Sequence, residues 1–239
     1  MSMIVASAVL ALASTAQDDV QGAVALPPPA SRPFRIGKSE MRDIDFVPRG
    51  WKLYDKITGD LDGDGNTDSV LIVQKNDPAK MIENTDGLGM RYYDSNPRVI
   101  LVLLHKNSGK FELSAASTSI IPIHDQPTIS DPLSGARIEG KVLFLDIGFF
   151  ANAGSWTTFN RRFQFRWDGE AMALIGFDMT HVRRNTGELT QTSINYLTGR
   201  RKDAKGSIED DETRWQWSDV PDGFKPTLGS IGNGFEFAG

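Results

Sequence analysis

The chain lacks cysteine altogether, so disulfides, thiolate metal sites and a cysteine nucleophile are excluded. Histidine is almost as scarce. His105 and His181 fall at the edges of expected strands, where a hydrogen-bonded structural role is the default. Only His124 lies beside carboxylates on an expected loop, next to Asp125 and close to Asp131. A His-Asp pair suits acid–base work, but the sequence assigns it no nucleophile, and a structural role is the default there too. A basic surplus is also missing. The formal net charge is −5, which gives nucleic acid or an anionic membrane no electrostatic reason to bind. The apolar run near the start, residues 4–13, is too short to cross a bilayer, and no Lys or Arg precedes it.

Apolar material itself is plentiful. Hydrophobic residues make up 39% of the 239, with thirteen Phe and five Trp, enough for a real core in one large domain. The run 4–13 leads into Ser14-Thr15-Ala16, whose small residues fit a signal-peptidase site after Ala16. Residues 1–16 therefore read as a signal peptide for a periplasmic or secreted protein; a buried N-terminal helix is the other reading. Residues 17–43 read as a linker stiffened by Pro27-Pro28-Pro29 and Arg32-Pro33.

The most informative stretch is Gly59-Asp60-Leu61-Asp62-Gly63-Asp64-Gly65-Asn66-Thr67-Asp68. Carboxylates this close repel one another unless water screens them or a cation sits among them. Calcium takes six to eight oxygen ligands from carboxylates and backbone carbonyls. With Asp60 as loop position 1, Asp62, Asp64 and Asp68 fall at positions 3, 5 and 9, and Asn66 offers its carbonyl at 7. Gly65 at position 6 permits the sharp turn. Position 12 is Leu71 rather than a bidentate Glu, so this is not a complete EF-hand, and the flanking segments read as strands. The expected ligands are Asp60, Asp62, Asp64, Asn66 and Asp68, the expected ion is calcium, and its expected duty is to pin two strands. A polar turn rich in Asp and Gly is the plainer reading.

The pattern Asp-x-Asp-x-Asp-Gly-x-x-Asp followed by an aliphatic strand resembles the calcium loops of FG-GAP and VCBS-type repeats, with Asp60, Asp62, Asp64, Gly65 and Asp68 matching. In propellers the unit recurs, whereas here it occurs once.

Beyond the loop, residues 79–97 read as a long surface loop opened by a short helical turn. Asp86, Asp94 and the pair Tyr92-Tyr93 are candidates there for lining a groove. Residues 98–105 form an almost unbroken apolar strand, expected to be buried on both faces. Residues 120–136 are irregular, 141–150 form a strong strand, and 159–167 alternate Phe and Trp with Arg and Gln. Asp168-Gly169 signals a two-residue hairpin, and the Thr-rich run 190–199 reads as the final strand. The charges of 200–212 largely cancel and suggest a solvated segment. Trp215, Trp217 and Phe224 are candidates for tacking down a tail that frays at its end.

The chain from about 46 to 200 also resembles a group of exported bacterial proteins of unknown function with a single loop of this kind. Asn96 to Arg98, Gly154 to Trp156, Phe163 to Arg166, Leu174 to Gly176 and Arg184 to Gly199 carry that resemblance. It implies one domain and no particular activity.

The expected fold is mainly β, an antiparallel, hairpin-built sheet arranged as a meander, a sandwich or a partial propeller, with few short helices. Residues 44–220 form its single domain and 221–239 its tail. The expected function is that of an exported, calcium-stabilised binding or accessory module without catalytic activity. An envelope hydrolase centred on His124 and Asp125, or on the metal loop, is the alternative. The expected partner is an envelope protein or a glycan, with no nucleic acid and no membrane span, and the protein is expected to be a monomer.

Overall fold

Stretches of β-branched and aromatic residues become fourteen strands among the described residues, which are 38–239 except 86, 211 and 212 of this computed structural model. The expected signal peptide and most of the expected linker lie outside them. The smaller sheet takes β1 (Ser39–Glu40), β2 (Trp51–Gly59), β3 (Asp68–Lys75), β6 (Arg98–His105) and β7 (Phe111–Ser117), in the order β1-β7-β6-β3-β2. Between β3 and β6 the chain makes a separate hairpin of β4 (Met81–Glu83) and β5 (Tyr92–Asp94). The larger sheet is an unbroken seven-strand meander of β8 (Leu133–Glu139), β9 (Val142–Phe150), β10 (Thr157–Trp167), β11 (Met172–Arg183), β12 (Glu188–Asn195), β13 (Arg200–Ser207) and β14 (Trp215–Asp219). Every pairing is antiparallel, and neither sheet closes into a barrel. The helical content among the described residues is two short 3₁₀ turns, Asp43–Phe46 and Pro78–Lys80. No helix among the described residues is long and apolar enough to cross a membrane.

One core joins the two sheets. Val70, Ile72, Ile100, Val102 and Leu104 of the smaller sheet share it with Leu143, Leu145, Ile147, Phe163, Phe165, Phe177 and Ile194 of the larger. As its unbroken hydrophobicity predicts, β6 is buried on both faces: Val99, Leu101 and Leu103 point away from this core and are still at most 2% exposed. The turn Asp43–Phe46 lies on that second face, where Asp43 accepts the Ser69 hydroxyl at 2.6 Å and Phe46 is fully buried. In β10, Phe163 and Phe165 face the core while Arg162 and Arg166 are exposed, as the alternation predicts.

Five local expectations are corrected. The stretch 79–97 is not all loop, because β4 and β5 form inside it. The Asp168 turn is longer than two residues: Trp167 ends β10, Met172 begins β11, and the Asp168 carboxylate accepts the Glu170 and Ala171 N–H groups. Of the charged run after residue 199, Arg200–Ser207 form a strand, while 208–210 are exposed beyond it. Asp203 accepts from Arg201 at 2.7 Å and from the Thr192 hydroxyl at 2.6 Å, Lys202 lies over the Trp215 ring, and Ala204 is buried. Arg201 and Asp203 neutralise each other along β13, and Arg200 pairs with Asp219 of β14 at 3.0 Å.

The C-terminal tail does not fray. Leu228 is wholly buried and Ile231 nearly so, while Phe235 packs edge-on to Phe159 and Phe237 edge-on to Phe177. Arg161 donates to the carbonyls of Gly234 at 2.9 Å and Phe237 at 2.8 Å, and burial pushes its pKa down to about 10. Trp217, a candidate for anchoring the tail, instead stands on the edge strand β14 with 61% of its surface exposed.

If the tail completes the core, Leu228→Ala lowers the unfolding free energy by about 3 kcal/mol, the usual cost of a buried Leu truncation. Urea denaturation followed by tryptophan fluorescence measures it. A loss below about 1 kcal/mol would return the segment to the status of a loose end.

Candidate metal centre

Hairpin β2–β3 closes at the pair Gly59 and Asp68, which leaves 60–67 to turn the chain. Leu61 points inward, is buried in the shared core, and anchors the loop. Gly63 and Gly65 have φ of +84° and +87°, values an L side chain rarely adopts, and a Cβ at Gly63 would also collide with the Lys141 ammonium. The loop then turns its carboxylates inward. Asp60, Asp62 and Asp68 each present one oxygen, all within 4.8 Å of one another. Oxygens sharing a calcium ion at about 2.3–2.6 Å can be no farther apart than about 5 Å, so this spacing suits one ion.

Of the three, Asp68 has no exposed surface. One of its oxygens accepts the Leu61 N–H at 2.7 Å and the other the His105 N–H at 2.8 Å. Burial raises its pKa; the two N–H groups offset part of that, and neighbouring Asp62 pushes it further up. Among the described residues no cationic side chain pairs with it. Asp60 accepts from the N–H groups of Gly63 at 2.6 Å and Gly65 at 3.3 Å. Asp62 accepts from the Asp64 N–H and pairs with Lys106 Nζ at 3.3 Å.

The other two expected ligands lie differently. Both Asp64 oxygens are taken by Asn66, one by its backbone N–H at 2.8 Å and one by Nδ2 at 2.9 Å. These bonds hold the Asp64 carboxyl below the usual range. Asn66 Nδ2 reaches on to Asn107 Oδ1 at 3.0 Å. Position 5 of the sequence pattern is therefore occupied in holding position 7, and three carboxylates converge where the spacing suggested four. Sequence reasoning missed Lys106 and Lys141, two cations brought to the loop from the β6–β7 and β8–β9 turns. Nothing local to 59–68 announces them.

The second candidate region is built otherwise. His124 is buried, its Nε2 is 2.9 Å from the Ile129 carbonyl, and its ring leans on Tyr93. Asp125 is exposed. Asp131 belongs to a different group: Arg98, only 4% exposed, clasps it in two bonds of 2.6 and 2.9 Å, and the Tyr54 hydroxyl donates to it at 3.1 Å. Tyr54 is the extra residue of a bulge in β2, which re-aims its side chain. The two long loops do converge here. The Met90 N–H donates to the Pro127 carbonyl at 2.8 Å, and Gly89, with φ +86°, sits so close to that carbonyl that a Cβ would clash. Of the other groove candidates, Tyr92 is exposed and donates to Glu83, Asp94 holds Asn96 and Lys52, and Asp86 lies outside the described residues.

No known family model matches the chain, and neither a characterised protein nor a solved structure is significantly similar to it.

For Asp131, burial opposes ionisation, but the Arg98 bonds and charge outweigh it and hold the carboxyl below the usual range. Asp131→Asn should cost about 2–3 kcal/mol, less than a wholly buried pair because Asp131 keeps one side to water. The sign with pH follows from the lowered folded pKa. The contribution is fully present above the unfolded carboxylate pKa and is lost as pH falls through the folded value. Urea midpoints of the parent and Asp131→Asn should therefore converge on acidification below about pH 4 and stay apart at neutrality.

Proposed function

We propose that the protein is an exported, calcium-stabilised binding or accessory module of the cell envelope, without catalytic activity, whose ion pins hairpin β2–β3 to β6. The observation that carries this reading is the buried Asp68 carboxylate, drawn close to Asp60 and Asp62 and offset by backbone N–H groups alone. Asp60, Asp62 and Asp68 would supply side-chain oxygens; the resemblance to FG-GAP and VCBS-type loops adds Asp64 and the Asn66 carbonyl. For Asp64 to join, its carboxylate would have to leave Asn66. Lys106 would have to yield its hold on Asp62, because an ammonium and a divalent ion compete for one oxygen.

Lone calcium loops of this type bind weakly, with Kd of about 10⁻⁴ to 10⁻³ M. At about 10 mM calcium the linkage relation then gives about 1.4–2.7 kcal/mol of added stability, or roughly 3–10 °C in Tm for a domain this size. Differential scanning calorimetry of chelator-stripped protein with and without calcium tests this. Asp60→Asn with Asp62→Asn should abolish the shift, and Lys106→Met should tighten binding severalfold by removing the competing charge. An unchanged Tm at 10 mM calcium sinks the proposal.

An envelope hydrolase is the second reading, favoured only by the meeting of the two long loops beside His124. Its His124 would have to release the Ile129 carbonyl before acting as a base. His124→Asn would then abolish turnover of an ester or glycoside substrate, whereas Asp62→Asn would leave it unchanged. In the binding module no such turnover is found, and Asp62→Asn lowers Tm in calcium.

A further inference from the structure

Where the two sheets differ most is on their outward faces. That of the smaller sheet is buried and apolar along β3 and β6, whereas that of the larger sheet is open and polar. Register lines the second face up in rows. Trp217, Lys202, Ser193, Asp178, Arg162 and Asp146 are consecutive cross-strand partners from β14 to β9, and Trp215, Ala204, Gln191, Thr180, Asn160 and Gly148 form the row beside it. Five strand spacings make each row about 24 Å long.

Over β8 to β11 this face holds a cavity of about 320 Å³ lined by Ser134, Asp146, Asn160, Arg161, Arg162, Asp178 and Thr180. Its charges are satisfied from within. Asp146 is clasped by Arg162 at 2.7 Å and Arg137 at 3.2 Å, and Asp178 accepts from Gln164 at 2.9 Å. What remains for a ligand is a set of hydroxyl, amide and carboxylate groups that donate and accept without much net charge. Such a set fits neutral hydroxyl groups better than a free ion.

Two glycines flank β10 on this face. Gly148 in β9 is half-buried and Gly176 in β11 is buried beneath the Gln164 side chain, at positions where glycine weakens a strand unless something must come close. At Gly148 a Cβ would meet Ser134 Oγ at 2.6 Å and Asn160 Oδ1 at 2.9 Å, so both polar groups close over a floor with no side chain of its own. Ser134 is the extra residue of a bulge in β8, a device that re-aims a side chain. At the far end of the first row stands Trp217, 61% exposed, with Arg200 5.5 Å from its ring centre. An exposed indole at the end of a polar trough is a stacking platform for the C–H face of a sugar ring.

We infer that the outward face of the seven-stranded sheet binds one strand of a neutral glycan, laid across β9 to β14, with the cavity at Asn160 and Thr180 holding one sugar unit and Trp217 stacking on another. This deepens the binding-module reading and rests on it. Nucleic acid would want an uncompensated basic surface, and a protein partner an apolar centre, whereas the centre of this face is polar and internally neutralised.

Isothermal titration of the full chain with hexamers of β-1,4-linked glucose, xylose and N-acetylglucosamine, and with a polyuronate, tests the inference. At least one neutral hexamer should bind with Kd of about 1 mM or tighter. Asn160→Ala and Trp217→Ala, both at exposed positions, should each weaken it at least about tenfold without moving Tm. No heat from any neutral hexamer at about 10 mM would overturn the inference, as would binding of the polyuronate alone or binding that neither variant weakens. The calcium shift in Tm is read on the same samples. If that shift survives and glycan binding fails, only the glycan surface is lost. If glycan binding survives without a calcium shift, the ion is lost and the surface stands.

Discussion

A carboxylate with no access to water holds this fold together at one end. Asp68 opens β3, and its two oxygens take N–H groups from the loop before it and from the end of β6. Removing an ionised carboxylate from water costs several kcal/mol, and two charge-assisted hydrogen bonds return about 1.5–3 kcal/mol each. The loop cannot drift from β6 without exposing both bonds and Leu61. The gathering of Asp60 and Asp62 follows, because their own oxygens are tied to N–H groups of the same turn. A calcium ion, as proposed, would enter a site whose backbone is set and whose repulsion is only partly relieved by Lys106 and Lys141.

The two sheets divide the work of stability and exposure. Each contributes one face to the shared core, and the phenylalanines of β10 and β11 fill its thick end. The C-terminal segment completes that end, with Phe235 and Phe237 wedged among Phe149, Phe159, Phe163 and Phe177. Arg161 donates to two of its carbonyls, those of Gly234 and Phe237. The wide meander keeps its other face in water, and hairpin register, not sequence proximity, sets polar side chains from six strands side by side there.

Legibility in the sequence followed range. The carboxylates of 60–68 were readable because position along a turn dictates which side chains point inward. The strand 98–105 was readable because only a doubly buried strand tolerates such a run. The diversion of Asp64 was harder to see, since it depends on the Asn66 side chain being drawn toward Asn107, forty-one residues away. Strand β13 was misread because its charges look solvated until Asp203 meets Arg201 and Thr192, and its Lys202 meets two indoles. The tail was misread because Gly beside Phe signals looseness in a chain and anchoring in a core.

By itself the sequence determined the fold class, the hairpin order of most strands and the acidic turn, since alternation, glycine placement and charge spacing act within a few residues and need no partner. Tertiary structure alone decided that Asp131 belongs to Arg98 and not to His124, that lysines from two other turns reach the acidic loop, and that the outward rows of the large sheet line up. Those outcomes depend on which strands become neighbours, a choice made by burial of the whole core and not by any one segment.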